Sequence, residues 1–579
     1  MKPLKMPRPQ IQRNHWLSLD GVWQFKTDPR EIGMNEAWFQ GLSTSHTIEV
    51  PFAAGSSLSG QDLSDDVQVV WYERPFIRPD WQSEEVLLTF GAADYRSDVW
   101  VNGHHVGQHV GGYTPFAMLV GQYLKAGENR IVVRCEDPIT WEVPRGKQAA
   151  ETRWPIDYDG VIGLWQSVWL EAVPIVYVEH LHTRFDLETS VLQVNVGLSR
   201  NAEGQVTLRL NQCESAVTVE LSGRREAKLS LEISDPRLWS PEDPYLYDVQ
   251  CTFQMGSSVS DEVQSYCALR STSFKADGFY LNGQRRFLRG VLDQGYFEDG
   301  WYTPPDEAAI IKDIEQTLAL GFNLTRKHQK IEDPRFYYWA DRLGLMVWAE
   351  MPSGRIFSSQ LKTDLTHQWM EVLTALQHHP SIVAWVPFNE SWGVWNQATR
   401  TEQQDWVTAM FYLTKAFDPS RPVIANDGWE HVAGEAWALH LYQQSGNDLL
   451  KRLEVLIDNP GLGVADTEGA RAGALHPDRV QGLPILITEC GGVGYDPDRR
   501  PSSEDFAYGE WPQNEAEFRA RLSELLEVLN QSDRISGFVW TQLTDVAQEI
   551  NGLLYFDRTP KVDIDWLCAQ VTGRESTGQ

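Results

Sequence analysis

Six cysteines in 579 residues, with no CxxC pair among them, are too few and too scattered for a structural zinc site or a disulfide-dense scaffold. Cys251 and Cys267 are near enough to meet across a hairpin, but two buried free thiols are the expectation, and a reduced cytoplasm is the expected compartment. Positive charge is also short. Lys+Arg number 50 against 80 Asp+Glu, a formal net charge of −30, which argues against a nucleic-acid partner or an anionic membrane surface. No uninterrupted apolar run approaches membrane-spanning length. The amino-terminal MKPLKMPRPQIQRNHW carries basic residues but neither an apolar stretch nor a small-residue cleavage site, so no secretory signal is expected. A GxGxxG loop is missing too, which removes the main support for a doubly wound open sheet.

Core-forming material is plentiful. The chain is 42% hydrophobic with 24 tryptophans, and its length exceeds what one core supports, so several domains are expected. Residues 1–174 read as β: EVLLTFGAADYRSDVWVNGHHVGQHVGGYTPFAM alternates short β-branched or aromatic runs with Asn-Gly and Gly-Gly turns, the pattern of hairpins in a sandwich. A second series over 175–275 (VLQVNVGLSR, QVTLRLNQC, AVTVELSG, AKLSLEIS, YLYDVQCTF) has the size and strand spacing of an immunoglobulin-like sandwich.

From 276 to 579 strands and helices alternate. Thr303-Pro-Pro-Asp306 reads as a helix start, followed by Ile310, Ile311, Ile314 and Leu318 at helical spacing, and Asn514 with Glu517 caps a later amphipathic helix. Eight apolar strands are expected at 286–292, 322–328, 345–352, 382–390, 422–428, 438–442, 484–490 and 535–543. Apolar strands joined by helices imply a parallel sheet, and eight in succession imply a (β/α)₈ TIM barrel.

Catalytic side chains of such a barrel come from the C-terminal ends of its strands, which here carry Asp293, Arg326, His328, Glu350, Asn389, Glu390, Asp427, Tyr442, Glu489, Trp540 and Asp545. Two carboxylates stand out. Glu390 follows the fourth strand and Glu489 the seventh, so they face one another across the lumen, the arrangement that retaining glycoside hydrolysis requires.

The segments NESWG and ILITECGG resemble the acid/base and nucleophile segments of glycoside hydrolase family 2, and the resemblance extends along nearly the whole chain. LDGVWQF and DVWVNGHHVGQHVGGYTPF are similar to that family's amino-terminal sugar-binding jelly roll, LWSPEDPYLY to the closing hairpin of its immunoglobulin-like domain, and FYLNGQRRFLRGV, RKHQKIEDPRFYYWADRLGLMVWAEMP and GFVWTQLTD to segments of its barrel. The resemblance implies that Glu390 is the general acid/base and Glu489 the nucleophile, that Asn389 bonds the sugar 2-hydroxyl, that Tyr442 steadies the nucleophile and that Trp540 is the floor on which the sugar stacks. Arg326 and His328 match the family's basic second strand end, with Arg326 beside Glu489.

Two departures bear on substrate. Leu292-Asp293-Gln294-Gly295 replaces the Asn-x-His-Glu run of many members, so no metal and no cofactor are expected, and the Asn-x-Lys with which glucuronidases grip a carboxylate does not follow Glu489. Arg499 and Arg500 are read as solvated surface residues, and Asp293 and Asp427 as partners of neutral hydroxyls. The expected protein is an exo-acting retaining β-glycosidase with a carbohydrate substrate, β-galactoside first. The alternatives are a β-glucuronidase or galacturonidase, a β-galactofuranosidase or α-L-arabinosidase on the same frame, or a non-catalytic carbohydrate-binding protein. A homo-oligomer is compatible with the sequence.

Overall fold

The computed structural model describes residues 6–574 apart from 65, 82, 84, 214, 466–468 and 500. Its first domain is a two-sheet sandwich. Six strands in the order Thr47–Val50, Gly21–Thr27, Val69–Ile77, Glu128–Glu136, Arg96–Val101 and His104–Val110 face four in the order Trp16–Ser18, Val168–Val173, Glu85–Phe90 and Phe116–Leu119. Trp23, Phe25, Tyr72, Phe90, Val133 and Leu170 fill the space between them, as the alternation of apolar and polar residues requires.

The second domain departs from its expected strand list. The first four short segments merge in pairs into two long strands, Val191–Leu210 and Ser215–Glu232, which pair with each other through register shifts between Gly197 and Ala202 and between Ala202 and Gly204. Bulges let a strand bend without breaking, so polar residues there read as turns in sequence. The six cysteines are all free, and Cys251 and Cys267 do not face each other, lying opposite Val263 and Tyr247.

Seven strands of the third domain form one parallel sheet in the order Ile382–Val386, Met346–Glu350, Leu324–Lys327, Leu288–Asp293, Gly537–Thr541, Ile485–Gly491 and Trp437–Leu441. The eighth expected strand, 422–428, is an extended segment rather than a ladder strand. It closes the ring through Ile424 N–H to Trp385 O (2.9 Å) on one side and His440 N–H to Gly428 O (3.1 Å) on the other. Gly428 is at φ 103, and a Cβ there would meet His440 Nδ1 at 2.7 Å, so glycine makes room for that ring.

Each of the eight segments sends an apolar residue into the lumen core: Leu288, Leu324, Trp348, Ala384, Ile424, Ala438, Leu486 and Val539. Phe279 and Leu281, from the small sheet Thr272–Lys275, Gly278–Leu281 and Gln284–Arg286, join the same cluster and plug the end of the barrel away from the site. The helix Glu307–Ala319 starts three residues later than a cap at Thr303 implies: Asp306 caps it, accepting from Ala309 N–H at 2.8 Å, while the Thr303 hydroxyl donates to Trp165 O at 2.7 Å. Asn514 and Glu517 cap Glu515–Gln531 as expected. Among the described residues no helix is long and apolar enough to cross a membrane.

Candidate active site

Glu390 stands where the chain leaves the fourth barrel strand. Its backbone and that of Ser391 are left-handed (φ 51 and 59), a conformation that disfavours side chains by about 1–2 kcal/mol per residue. The turn is held by Glu390 N–H to Asp427 O (2.8 Å), Ser391 N–H to Asn426 Oδ1 (3.0 Å) and Trp392 N–H to Asn389 O (2.9 Å). Its effect is to point a carboxylate from an apolar strand end into the mouth, with the side chain 17% exposed.

Glu489 lies within Ile485–Gly491 and is 5% exposed. Its Oε2 accepts from the Tyr442 hydroxyl at 2.6 Å and its Oε1 from Arg326 Nη1 at 2.9 Å. Tyr442 stacks on Tyr508 with ring centroids 3.5 Å apart, and burial followed by the Glu489 charge raises its pKa well above the usual phenol value, so it stays a donor. The two glycines after the glutamate clear space. A Cβ on Gly491 would meet the Trp540 ring at 2.5 Å, and one on Gly492 would meet Tyr508 at 2.3 Å.

Beneath both glutamates lies Arg326, fully buried. Its Nε donates to Glu350 Oε2 (2.7 Å) and its Nη2 to Asn389 Oδ1 (2.6 Å), while Nη1 is 3.1 Å from Asp427 Oδ2. Burial works against the charge, but Asp427, Glu350 and Glu489 together raise the guanidinium pKa. Burial likewise pushes Glu350 up, yet Arg326 and then His328 hold it at about 2.

His440 joins the two carboxylates. Its Nδ1 is 2.8 Å from Glu390 Oε1, and its Nε2 lies 3.4 Å from Asp427 Oδ1 and 3.5 Å from Glu489 Oε1. Burial lowers the imidazole, but Glu489, Asp427 and Glu390 raise its pKa to about 10. For Glu390 burial pushes upward and is overcome by the bond to His440, with His328 and Lys147 adding to the fall. The carboxylate is thus lowered and the imidazole raised by the same contact, and the two titrate as a pair. His440 was not singled out in the sequence although the signal was there: it stands two residues before Tyr442, and in a strand residues i and i+2 share a face.

The structure thus brings together Glu390, Glu489, Asn389, Tyr442, Arg326 and His440, with His328 Nδ1 3.0 Å from Glu350. Three of the expected substrate-binding residues are deeply buried. Asp293 is committed to a buried ion pair with Lys327 (2.5 Å) and to Gly295 N–H (2.8 Å), because a carboxylate at 4% exposure requires a counter-charge. Asp427 is fully buried under Arg326, His440 and the Thr488 hydroxyl, and so braces the site. Trp540 is 1% exposed, with its ring against Gly491, two residues after Glu489. Arg499 is a surface residue paired with Asp505 as expected, and Arg500 lies outside the described residues.

Residues from elsewhere complete the mouth. Thr541 Oγ1 is 2.9 Å from the Tyr442 hydroxyl, and the following loop carries Gln542, Glu549 and Asn551. A loop of the first domain crosses over to meet them: Tyr158 donates to Glu549, and Lys147 Nζ is 3.6 Å from Glu549 Oε2. Among the described residues, Asn389 Nδ2, Gln294 Oε1, Gln542 Nε2 and Asn551 Oδ1 are buried polar atoms without a hydrogen-bond partner. Unmet buried groups of this kind are costly unless a ligand or water satisfies them. Among the described residues the one trio with ligand-capable atoms mutually within 4.8 Å is Glu390, His440 and Glu489, the same groups that bond each other here.

Comparison with known proteins places this geometry. The model for the sugar binding domain of glycosyl hydrolases family 2 matches residues 16–174, the family 2 model residues 176–270, and the family 2 TIM barrel model residues 273–451. The chain belongs to glycosyl hydrolases family 2. It is therefore a glycoside hydrolase; Glu489 and Trp540 lie beyond the matched barrel stretch. A β-glucuronidase of Paenibacillus borealis is 25% identical over 441 residues, covering 70% of this chain and 72% of that one. A β-galactosidase of Thermoanaerobacter pseudethanolicus is 26% identical over 375 residues, 61% of this chain and 48% of that one. Against a further relative, from Formosa agariphila, this chain spans about half the length (48%). The crystal structure of a family 2 β-galacturonidase from Eisenbergiella tayi bound to galacturonate has the same fold, with a TM-score of 0.78 at 19% identity over 99% of this chain and 100% of that one.

Proposed function

We propose that this family 2 hydrolase is an exo-acting retaining β-glycosidase in which Glu489 attacks the anomeric carbon and Glu390 serves as acid and then base. The observation that carries the reading is the approach of the two carboxylates, whose facing atoms lie within 4.8 Å of one another. Separations near 5 Å suit a direct attack by one carboxylate, whereas inversion needs room for a water. In the first step Glu489 forms the C–O bond as the leaving oxygen takes the Glu390 proton; in the second, Glu390 deprotonates the water that releases the sugar. Arg326 and Tyr442 meet the nucleophile's two oxygens, and Asn389 Nδ2, unpartnered, is the donor for the 2-hydroxyl. The first-domain loop carrying Lys147 and Tyr158 across the mouth supports action on a terminal sugar.

The proton for the first step is shared by Glu390 and His440, whose Nδ1 lies 2.8 Å from Glu390 Oε1, and it leaves through Glu390 as the leaving oxygen draws it. His440 is faced by Glu390, Asp427 and Glu489, by the Arg326 guanidinium at 3.4 Å and by the Trp429 ring. With the imidazole raised to about 10, the pair keeps its single proton well into alkaline pH. His440→Asn leaves Glu390 to titrate alone, and the alkaline limb of kcat/KM is expected to move down by more than one pH unit. A limb that stays in place rejects the shared-proton pair.

The sugar we infer is neutral, β-galactoside first. Glu549 already neutralises Lys147, and the unpartnered amide atoms of Gln294, Gln542 and Asn551 are matched to hydroxyls. A second reading, a uronide, is favoured by Lys147 being a cation at the mouth and by the relatives named for uronidase activity. A panel of 4-nitrophenyl β-galactoside, β-glucuronide, β-mannoside, β-galactofuranoside and α-L-arabinoside decides. The expected result is kcat/KM for the galactoside at least about 100-fold above the glucuronide, the scale set by burying one unpaired charge against Glu549. Preference for the glucuronide transfers the assignment to the uronide.

A further inference from the structure

Because Glu390 protonates the leaving oxygen, the leaving group must sit on the Glu390 side of the mouth, and the structure builds an aromatic wall there. Trp392 is two residues beyond Glu390 and 2% exposed. The Arg355 guanidinium lies 4.4 Å from the Trp392 ring, 4.0 Å from Trp141 and 4.2 Å from Trp154, so three indoles surround one cation whose charge is met by Asp157. Trp395 extends the row, its Nε1 donating to Arg355 O at 2.7 Å and its ring 6.1 Å from Trp154.

Trp154 differs from the other three. It is 38% exposed, yet it is not on a loose loop tip. Its N–H donates to Asp157 Oδ2 (2.8 Å), Asp157 N–H returns a bond to Trp154 O (2.9 Å), and Gln548 Nε2 of the barrel donates to Pro155 O (2.8 Å) and Asp157 O (2.6 Å). A single exposed apolar side chain normally needs no explanation. An indole held from two domains, and joined through the Arg355 guanidinium to Trp392 two residues beyond the proton donor, is a preorganised stacking surface.

We propose that the Trp154 face, continued by Trp395 and backed by Arg355, is the leaving-group subsite, taking an aglycone with a flat apolar face, whether an aromatic ring or the apolar side of a second sugar. This rests on Glu390 being the acid. The geometry fits stacking because the ring is 38% exposed while Arg355, Trp141 and Trp395 hold it in place.

The test compares kcat/KM for a 2-naphthyl β-glycoside and a disaccharide with that for the glycosyl fluoride of the same sugar, which has no aglycone ring, using the sugar that the panel identifies. In Trp154→Ala the naphthyl-to-fluoride ratio, the disaccharide-to-fluoride ratio or both are expected to fall at least fivefold, with most of the loss restored in Trp154→Phe; which ratio falls tells aromatic from sugar aglycones. If both ratios stay within twofold of wild type while the fluoride is hydrolysed, the subsite is wrong and the glycosidase reading stands. If the wild type hydrolyses no β-glycoside, the glycosidase reading falls and takes the subsite with it.

Discussion

Replacing Glu489 by alanine is expected to lower kcat by about five orders of magnitude, roughly 7 kcal/mol of barrier, while the far-ultraviolet circular dichroism stays that of the wild type. The loss is large because the variant has no oxygen with which to form the glycosyl bond, and the fold survives because Arg326 keeps Glu350 and Asp427 as partners. Azide is expected to restore turnover in the variant and to yield a glycosyl azide of inverted configuration, since the anion attacks from the emptied face and no second displacement follows. Residual turnover of more than about one per cent, measured with the best substrate of the panel, contradicts the assignment of the nucleophile.

Arg326→Met is the second large effect, on stability as well as activity. The guanidinium is the shared counter-charge of Glu350, Asp427 and Glu489, all 5% exposed or less. Removing one partner from a buried ionic cluster costs about 3–5 kcal/mol, because the remaining charges have neither water nor a cation. The pH dependence follows from the depressed carboxyls. Glu350 and Asp427 titrate below their ordinary values of 4.5 and 3.8, so the stabilisation Arg326 gives is fully present above those values and is lost as pH falls through the lowered ones, about 2 for Glu350. The gap in unfolding midpoint between variant and wild type is therefore expected to be widest near neutral pH and to narrow as the pH falls below about 4.5. A gap of equal size at pH 7 and pH 3, measured by denaturant unfolding, contradicts the charge-cluster account. Activity is expected to fall at least about a thousandfold at pH 7, since Asn389 and Glu489 lose the group that orients both.

What the sequence makes legible follows from how local each signal is. The barrel is readable because eight apolar runs recur with helical segments between them, and even the irregular 422–428 contributes Ile424 to the lumen as a strand would. The two long strands of the second domain are not, because a bulge and a turn share the same polar, flexible residues. Glu390 and Glu489 are legible as carboxylates ending apolar strands. Strand-end position does not reveal a side chain's partner, however, and this is why the ion pairs of Asp293 and Asp427 and the deep burial of Trp540 are not readable from it. Lys147, Tyr158 and Trp154 are hidden for a different reason. They reach the mouth from a loop of the first domain, roughly 230–240 residues before Glu390, and only the packing of the two domains brings them there.

The central claim is double displacement by Glu489 and Glu390, and proton NMR of the anomeric region during the first minutes of hydrolysis tests it most directly. Using the β-glycoside that the panel identifies, the β-anomer of the free sugar is expected to appear first, with the α-anomer growing in only as mutarotation proceeds. Appearance of the α-anomer first would mean a single displacement by water and would contradict the account.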